Sequence, residues 1–236
     1  MLTLRALPSF PHTDISAGSV YTSADATDKD TRGTWAATLR QYVHEWLAFT
    51  ASPRGSRLQP RHANALNVGD RVSSRQTVNL HPDFSPLNLH AEKAYSLALC
   101  VMRDVVSRIV ESPPYDVWGL ALLYSHAGAR RQVLHSDFPD TCAGRPSPSR
   151  GGISIVVSLD ELGSLWVHAD GLTKEVPMPK CGDYVAFGAG TLHAGAEYKA
   201  FAYPSGHWRL VCYAVPCDVV CNGFAMLPPG LCATRK

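Results

Sequence analysis

A chain of 236 residues with 45% apolar and 18% charged side chains has the composition of a globular domain and not of a disordered segment. Its net charge of +2 and pI of about 8.2 are too mild to imply nucleic-acid binding on charge alone. No apolar stretch is long enough to span a bilayer, and the opening MLTLRALPSFPH is too short in its apolar part, and too broken by Pro8 and Pro11, for a secretory leader.

Residues 1–32 are rich in Ser, Thr, Asp, Pro and Gly, hold no sustained period, and predict a flexible loop. Residues 34–49 place Trp35, Leu39, Tyr42, Val43, Trp46 and Leu47 at helical spacing, which predicts an amphipathic helix. The segment from 50 to 75 reads as a loop carrying Arg54, Arg57, Arg61, Arg71 and Arg75 against a single acid, Asp70. A solvated basic surface and a contact for an anionic substrate are both open readings of it. Residues 90–111 predict a longer helix, stopped by Pro113 and Pro114, because proline cannot continue a helix and restricts the residue before it.

Beyond residue 116 the period changes. DVWGLALLY, RQVLH, GISIVVSL, SLWVHA, TKEVPM, DYVAFGA, TLHAGAEY and HWRLVCYAV are short runs rich in Val, Ile, Tyr and Trp, separated by Gly, Pro, Asp and Ser. Such runs predict an antiparallel sandwich or barrel of about eight strands. The expected organisation is a segment 1–32, a helical support region 33–116 and a β domain 117–236. Seven cysteines in no regular framework, without a leader, read as reduced thiols of a cytoplasmic or nuclear chain that is not secreted. Cys212, Cys217, Cys221 and Cys232 cluster without a C-x-x-C pair, which leaves a zinc site there weakly motivated.

Within RQVLHSDF, His135 and Asp137 are two residues apart, and in an extended segment such residues share a face. An imidazole and a carboxylate so placed can converge on one cation, but a useful site needs a third arm. His193, after a Gly-rich turn in GDYVAFGAGTLHAG, is the candidate, since two histidines and one carboxylate form the facial triad of non-haem iron oxygenases. A second His-x-Asp, His168 and Asp170, lies only 25 residues before His193, whereas His135 lies 58 before it, room for the intervening strands. His126 and His207 are minor alternatives as ligands. Arg209, mid-strand in GHWRLVCYAVP, is costly to bury without an anionic partner, and its planar guanidinium suits a carboxylate. Lys199 is the lesser candidate for that role, and Tyr124 could add a hydrogen bond. Trp166 and Trp208 read as core aromatics, and Phe138 as a wall of the site. Arg130, Arg131, Arg145 and Arg150 are either solvated or contacts for an acidic substrate.

The order Y…G…LHSDF, GD…F…LHAG and WRL resembles the Fe(II)/2-oxoglutarate-dependent dioxygenases over residues 117–216. The resemblance implies a double-stranded β-helix, or jelly roll, preceded by helices. It implies His135, Asp137 and His193 as the iron ligands and catalytic centre, and Arg209, helped by Tyr124, as the anchor of the far carboxylate of 2-oxoglutarate. It also implies Fe(II), 2-oxoglutarate and O2 as cofactor and co-substrates, with ascorbate as a candidate reductant. The expected reaction hydroxylates a substrate, or demethylates it where the carbon is bound to a heteroatom, with succinate and CO2 released. The Tyr-x-x-x-Gly before the first ligand is similar to the nucleic-acid demethylating branch, so a nucleobase stands beside a protein side chain and a small metabolite as the substrate. Two rivals remain: a cupin-like metal enzyme that uses no keto acid, and a non-catalytic jelly-roll binding module.

Overall fold

The structure, a computed structural model, describes residues 20–22, 32–51, 66–67, 75–80, 89–109, 115–137, 152–188, 190–199, 201–202 and 204–216. Two helices come early. α1 spans Arg32–Ala51 and buries Ala36, Leu39, Val43 and Trp46, residues three or four apart that make one stripe. Trp35 and Tyr42 lie at the margin of that stripe, half-buried. α2 spans Leu89–Ile109 and buries Ala91, Ala94, Ala98, Met102, Val105, Val106 and Ile109. Its buried small residues, Ala91, Ala94 and Ala98, lie in its N-terminal half. α1 runs two residues past its expected limits at each end, whereas α2 starts one residue before and ends two residues short of its own.

The strands follow the expected runs. β4 is Tyr115–Ser125, β5 Ile153–Ser158, β6 Gly163–Ala169, β7 Leu172–Met178, β8 Tyr184–Gly188, β9 His193–Gly195 and β10 His207–Pro216. Three further strands were not expected: β1 (Val20–Thr22), β2 (Leu66–Asn67) and β3 (Arg75–Asn79). β1 and β2 lie in segments read as loop, β3 begins at the last residue of the basic loop and continues into a stretch given no reading, and the three extend the larger sheet at both edges. Its order is β1-β8-β5-β10-β4-β3-β2, with every pairing antiparallel. A smaller sheet has the order β7-β6-β9.

Alternation along the strands of the large sheet divides the core in two. Leu120, Leu122, Ile153, Ile155, Val157, Ala186, Leu210 and Ala214 face outward and are covered by α1 and α2. Val156, Val185, Phe187 and Val211 face the other way and meet Leu165, Val167, Val176 and Met178 of the small sheet. β5 is therefore buried along its whole length. A cavity lined by both sheets lies beside this packing and holds the site.

The run RQVLH is not a regular strand. Backbone bonds join Gln132 N to Gly195 O at 3.0 Å, and His135 N to His193 O at 2.9 Å. Three steps on one side match two on the other, so a bulge is inserted, and Val133, 86% exposed, is turned out to solvent. His135 returns to pair with His193 as an isolated bridge.

Candidate metal centre

The bridge between His135 and His193 is a doubly hydrogen-bonded antiparallel pair: His193 N also donates to His135 O at 2.8 Å. Directly opposed residues put their side chains on the same face, and the two rings lie 4.6 Å apart. Asp137, two residues on, reaches both. Its carboxylate oxygens lie 3.8 Å from His135 Nε2 and 3.4 Å from His193 Nε2. One ligand atom from each of the three residues falls within 4.8 Å of the others, and among the described residues no other such cluster exists.

The imidazoles are held in a defined state. His135 Nδ1 lies 2.9 Å from Val133 O, and His193 Nδ1 lies 3.1 Å from Thr191 O. Carbonyls only accept, so both Nδ1 atoms carry a proton, and Nε2 is the atom that each ring turns toward Asp137. Burial, foremost, pushes the His193 pKa down from its ordinary value, aided by His135 and Arg209 and opposed by Asp137. The Phe187 ring packs against His193 at 4.7 Å. Two imidazole nitrogens and a carboxylate are a donor set that suits a divalent transition metal.

The triad opens onto a cavity of about 470 Å3, and Arg209 lies on the wall of the same cavity. Arg209 is 1% exposed. Its Nη2 donates to Ser125 Oγ at 3.3 Å, while its Nε is buried without a hydrogen-bond partner among the described residues. No carboxylate there forms an ion pair with it. A buried guanidinium in that state is completed by an anion from outside the chain.

A second guanidinium stands beside the first. Arg75, read from the sequence as part of a basic loop, is in β3 and 6% exposed. Its Nη1 donates to the same Ser125 Oγ at 2.5 Å, and its Nη2 donates to the carbonyls of Arg130 and Ala196 at 3.0 and 2.6 Å. Gly195 makes room for this group: a Cβ there would lie 2.6 Å from Gln132 Oε1, 2.7 Å from Arg75 Nη1 and 2.9 Å from Arg209 Nη1. The glycine of LHAG is thus a cradle that any side chain would fill.

Tyr124 is a correction. It follows Leu122 in alternation, so it points to the helical side of the sheet and away from the cavity. There its hydroxyl donates to Ser205 O at 2.8 Å and its ring packs on Trp208 at 4.6 Å. Tyr213, which sequence reading passed over, takes a place at the site instead: it lines the cavity and its hydroxyl is hydrogen-bonded to Asp137. The signal was available, since Tyr213 is four residues after Arg209 in one strand and shares its face.

The remaining candidates lie elsewhere. His168 faces outward and its Nδ1 meets Thr173 Oγ1 at 2.9 Å, with Asp170 in the following turn. His126 packs edge-on to Tyr124. His207 stacks on Tyr198 at 4.5 Å, and Lys199 is exposed on another surface beside Arg131 and Trp166. Arg130 is exposed, and Arg131 lies over the Trp166 ring at 4.9 Å, outside the cavity. Trp208 is half-buried against the helical core. Arg54, Arg57, Arg61, Asp70, Arg71, Phe138, Arg145 and Arg150 lie outside the described residues. So do Cys217, Cys221 and Cys232, while Cys212 is buried on the helical side as a free thiol. No helix among the described residues is long and apolar enough to cross a membrane.

No family model and no curated protein sequence matches this chain. Solved structures do. A prolyl-4-hydroxylase from Pseudomonas putida aligns over 84% of this chain and 92% of its own, with a TM-score of 0.50 and 16% identity. A prolyl hydroxylase from Trichoplax adhaerens, in complex with a hypoxia inducible factor oxygen degradation domain peptide fragment, aligns over 87% of each chain at TM-score 0.51 and 12% identity. The fold is that of the 2-oxoglutarate oxygenases. A non-heme alpha-ketoglutarate-dependent carbocyclase from nogalamycin biosynthesis shares it too, over 84% of this chain and 81% of its own, at TM-score 0.50 and 12% identity. The double-stranded β-helix expected from the sequence is here the strands β4 to β10 with the bridging segment at His135.

Proposed function

We propose that the chain is an Fe(II)- and 2-oxoglutarate-dependent oxygenase that hydroxylates its substrate, or demethylates it where the oxidised carbon is bound to nitrogen or oxygen. One observation carries this reading: the three convergent donors and the buried Arg209 open onto one cavity. Fe(II) held by His135, Asp137 and His193 would supply, with 2-oxoglutarate and O2, the oxidising power for a C–H bond, leaving succinate and CO2.

The chain's own residues prepare that chemistry. The carbonyls of Val133 and Thr191 fix both imidazoles in the ligating tautomer. Arg209 binds the far carboxylate of the keto acid, in a fork geometry that holds a planar anion by two hydrogen bonds. Ser125 and Arg75 hold Arg209 in place from behind. Val156, Leu165 and Val211 give the cavity apolar walls, which exclude water and strengthen every charge interaction inside. The cupin-like rival leaves Arg209 without a role, and the binding-module rival leaves the two locked tautomers without one.

The test is anaerobic addition of Fe(II), then 2-oxoglutarate, while watching for the visible metal-to-ligand charge-transfer band. The wild type is expected to develop it. Asp137→Ala should bind no iron, and Arg209→Ala should bind iron but develop the band only at much higher 2-oxoglutarate. Iron binding without any band would favour the cupin-like enzyme, and no iron binding would sink both metal readings.

A further inference from the structure

β4 and β10 do not pair in uniform register. Val211 faces Ala121, but Tyr213 faces Trp118, so two steps on β10 match three on β4. The extra residue is absorbed around Gly119, whose φ of +61° is left-handed and suits glycine. The bulge changes which residues face the helices: Tyr115 and Val117 before it, Leu120 and Leu122 after it. Gly119 is thereby brought to the cavity wall opposite Tyr213. A Cβ at Gly119 would lie 2.7 Å from Tyr213 Cδ2 and 3.0 Å from Cε2. The phenol ring occupies the space that a side chain would need, and from there its hydroxyl reaches Asp137.

We propose that Tyr213 is a positioning residue for the metal centre, seated by the Gly119 bulge: its phenol O–H donates to the Asp137 carboxylate and holds it toward the two imidazoles. The proposal rests on the metal-binding reading above. It answers a mechanical need. His135 and His193 each have a carbonyl on Nδ1 and a backbone pairing, whereas Asp137 lies past the bridge, outside any strand. The last torsion of a carboxylate is broad and soft, so without a second hydrogen bond the group swings. A tyrosine that is 8% exposed has little freedom of its own and supplies that constraint.

The experiment titrates Mn(II), a redox-stable probe, into the wild type, Tyr213→Phe, Gly119→Ala and the double variant by calorimetry, with thermal unfolding of each metal-free protein alongside. Tyr213→Phe keeps the ring and loses only the hydroxyl. Its Mn(II) affinity should fall roughly 10–100-fold, as for other partners of metal ligands, with a Tm within a few degrees of wild type. Gly119→Ala pushes the ring aside and should weaken Mn(II) similarly, and adding Tyr213→Phe to it should cost no further affinity. Should Gly119→Ala fail to fold, the Tyr213→Phe comparison decides alone. Wild-type affinity in Tyr213→Phe would overturn the proposal and leave the metal reading standing. No Mn(II) binding by the wild type would overturn both.

Discussion

Ser125 is small and fully buried, yet its one oxygen accepts hydrogen bonds from two guanidinium groups. Two positive charges so close in a low-dielectric setting repel, and a bound carboxylate relieves both. The two arginines should nevertheless fail differently. Arg209→Gln removes the charge that the cavity presents to 2-oxoglutarate, and its dissociation constant should rise by about two orders of magnitude, the loss of a buried charge-assisted pair. Arg75→Lys keeps a charge but cannot bond Ser125, Arg130 and Ala196 from one plane. It should loosen 2-oxoglutarate about tenfold while Mn(II) affinity stays unchanged, since its guanidinium bonds Ser125 and the carbonyls of Arg130 and Ala196. Titration of the charge-transfer band with 2-oxoglutarate separates the two, and equal constants for wild type and Arg75→Lys would remove Arg75 from the site. Arg209 was legible because a lone charge interrupts an apolar run. Arg75 was not, because RQTVN has its polar residues Arg75, Thr77 and Asn79 on one face and that face points into a cavity. A strand that is polar toward an internal pocket looks, in sequence, like a loop.

Elements were easier to read where one face meets a continuous core. α1 is set by Ala36, Leu39, Val43 and Trp46, and Trp46 is among the largest fully buried side chains. Trp46→Ala should cost about 3–5 kcal/mol, the transfer loss plus the cavity left behind, seen as a lower denaturation midpoint in urea with Mn(II) affinity per folded molecule unchanged. A loss of metal binding ahead of unfolding would show that the helices shape the site directly and do not merely cover the sheet. RQVLH was read as one of the eight strands, but it makes only an isolated bridge at His135, since the bulge between Gln132 and His135 breaks its period. Between His193 and Arg209 the chain pairs back at Tyr198 to Ala129 and then makes a turn closed by Ala202 N to Lys199 O at 2.9 Å before β10 begins. Tyr124 failed on parity. Nothing in YSHAG marks the bulge at Gly119 upstream, which decides the side to which every later residue of β4 points.

At the scale of the molecule, the charge at the inner end of the cavity reaches beyond it. His207 is fully buried, stacked on Tyr198 and 3.2 Å from Ser158 Oγ. Burial, first, and then Arg209, Arg75 and Arg40 lower its pKa to about 3 from the ordinary 6.5. The imidazole is therefore neutral in the folded chain while the unfolded chain protonates it below about pH 6.5. Stability linked to this group is complete above pH 6.5 and is lost as the pH falls toward 3, with a slope of about 1.4 kcal/mol per pH unit. Between pH 7 and pH 5 the loss should be about 2 kcal/mol from this residue alone. His207→Gln has no such proton to take up. Its unfolding free energy in urea should start lower at pH 7, through imperfect packing on Tyr198, and fall less steeply, so that the gap to wild type narrows by about 2 kcal/mol at pH 5. His193 is also depressed, but it is present in both proteins and cancels in the comparison. Parallel pH profiles would mean that His207 is protonated in the fold, and that a counter-charge inside the sandwich already neutralises the arginines without any bound carboxylate.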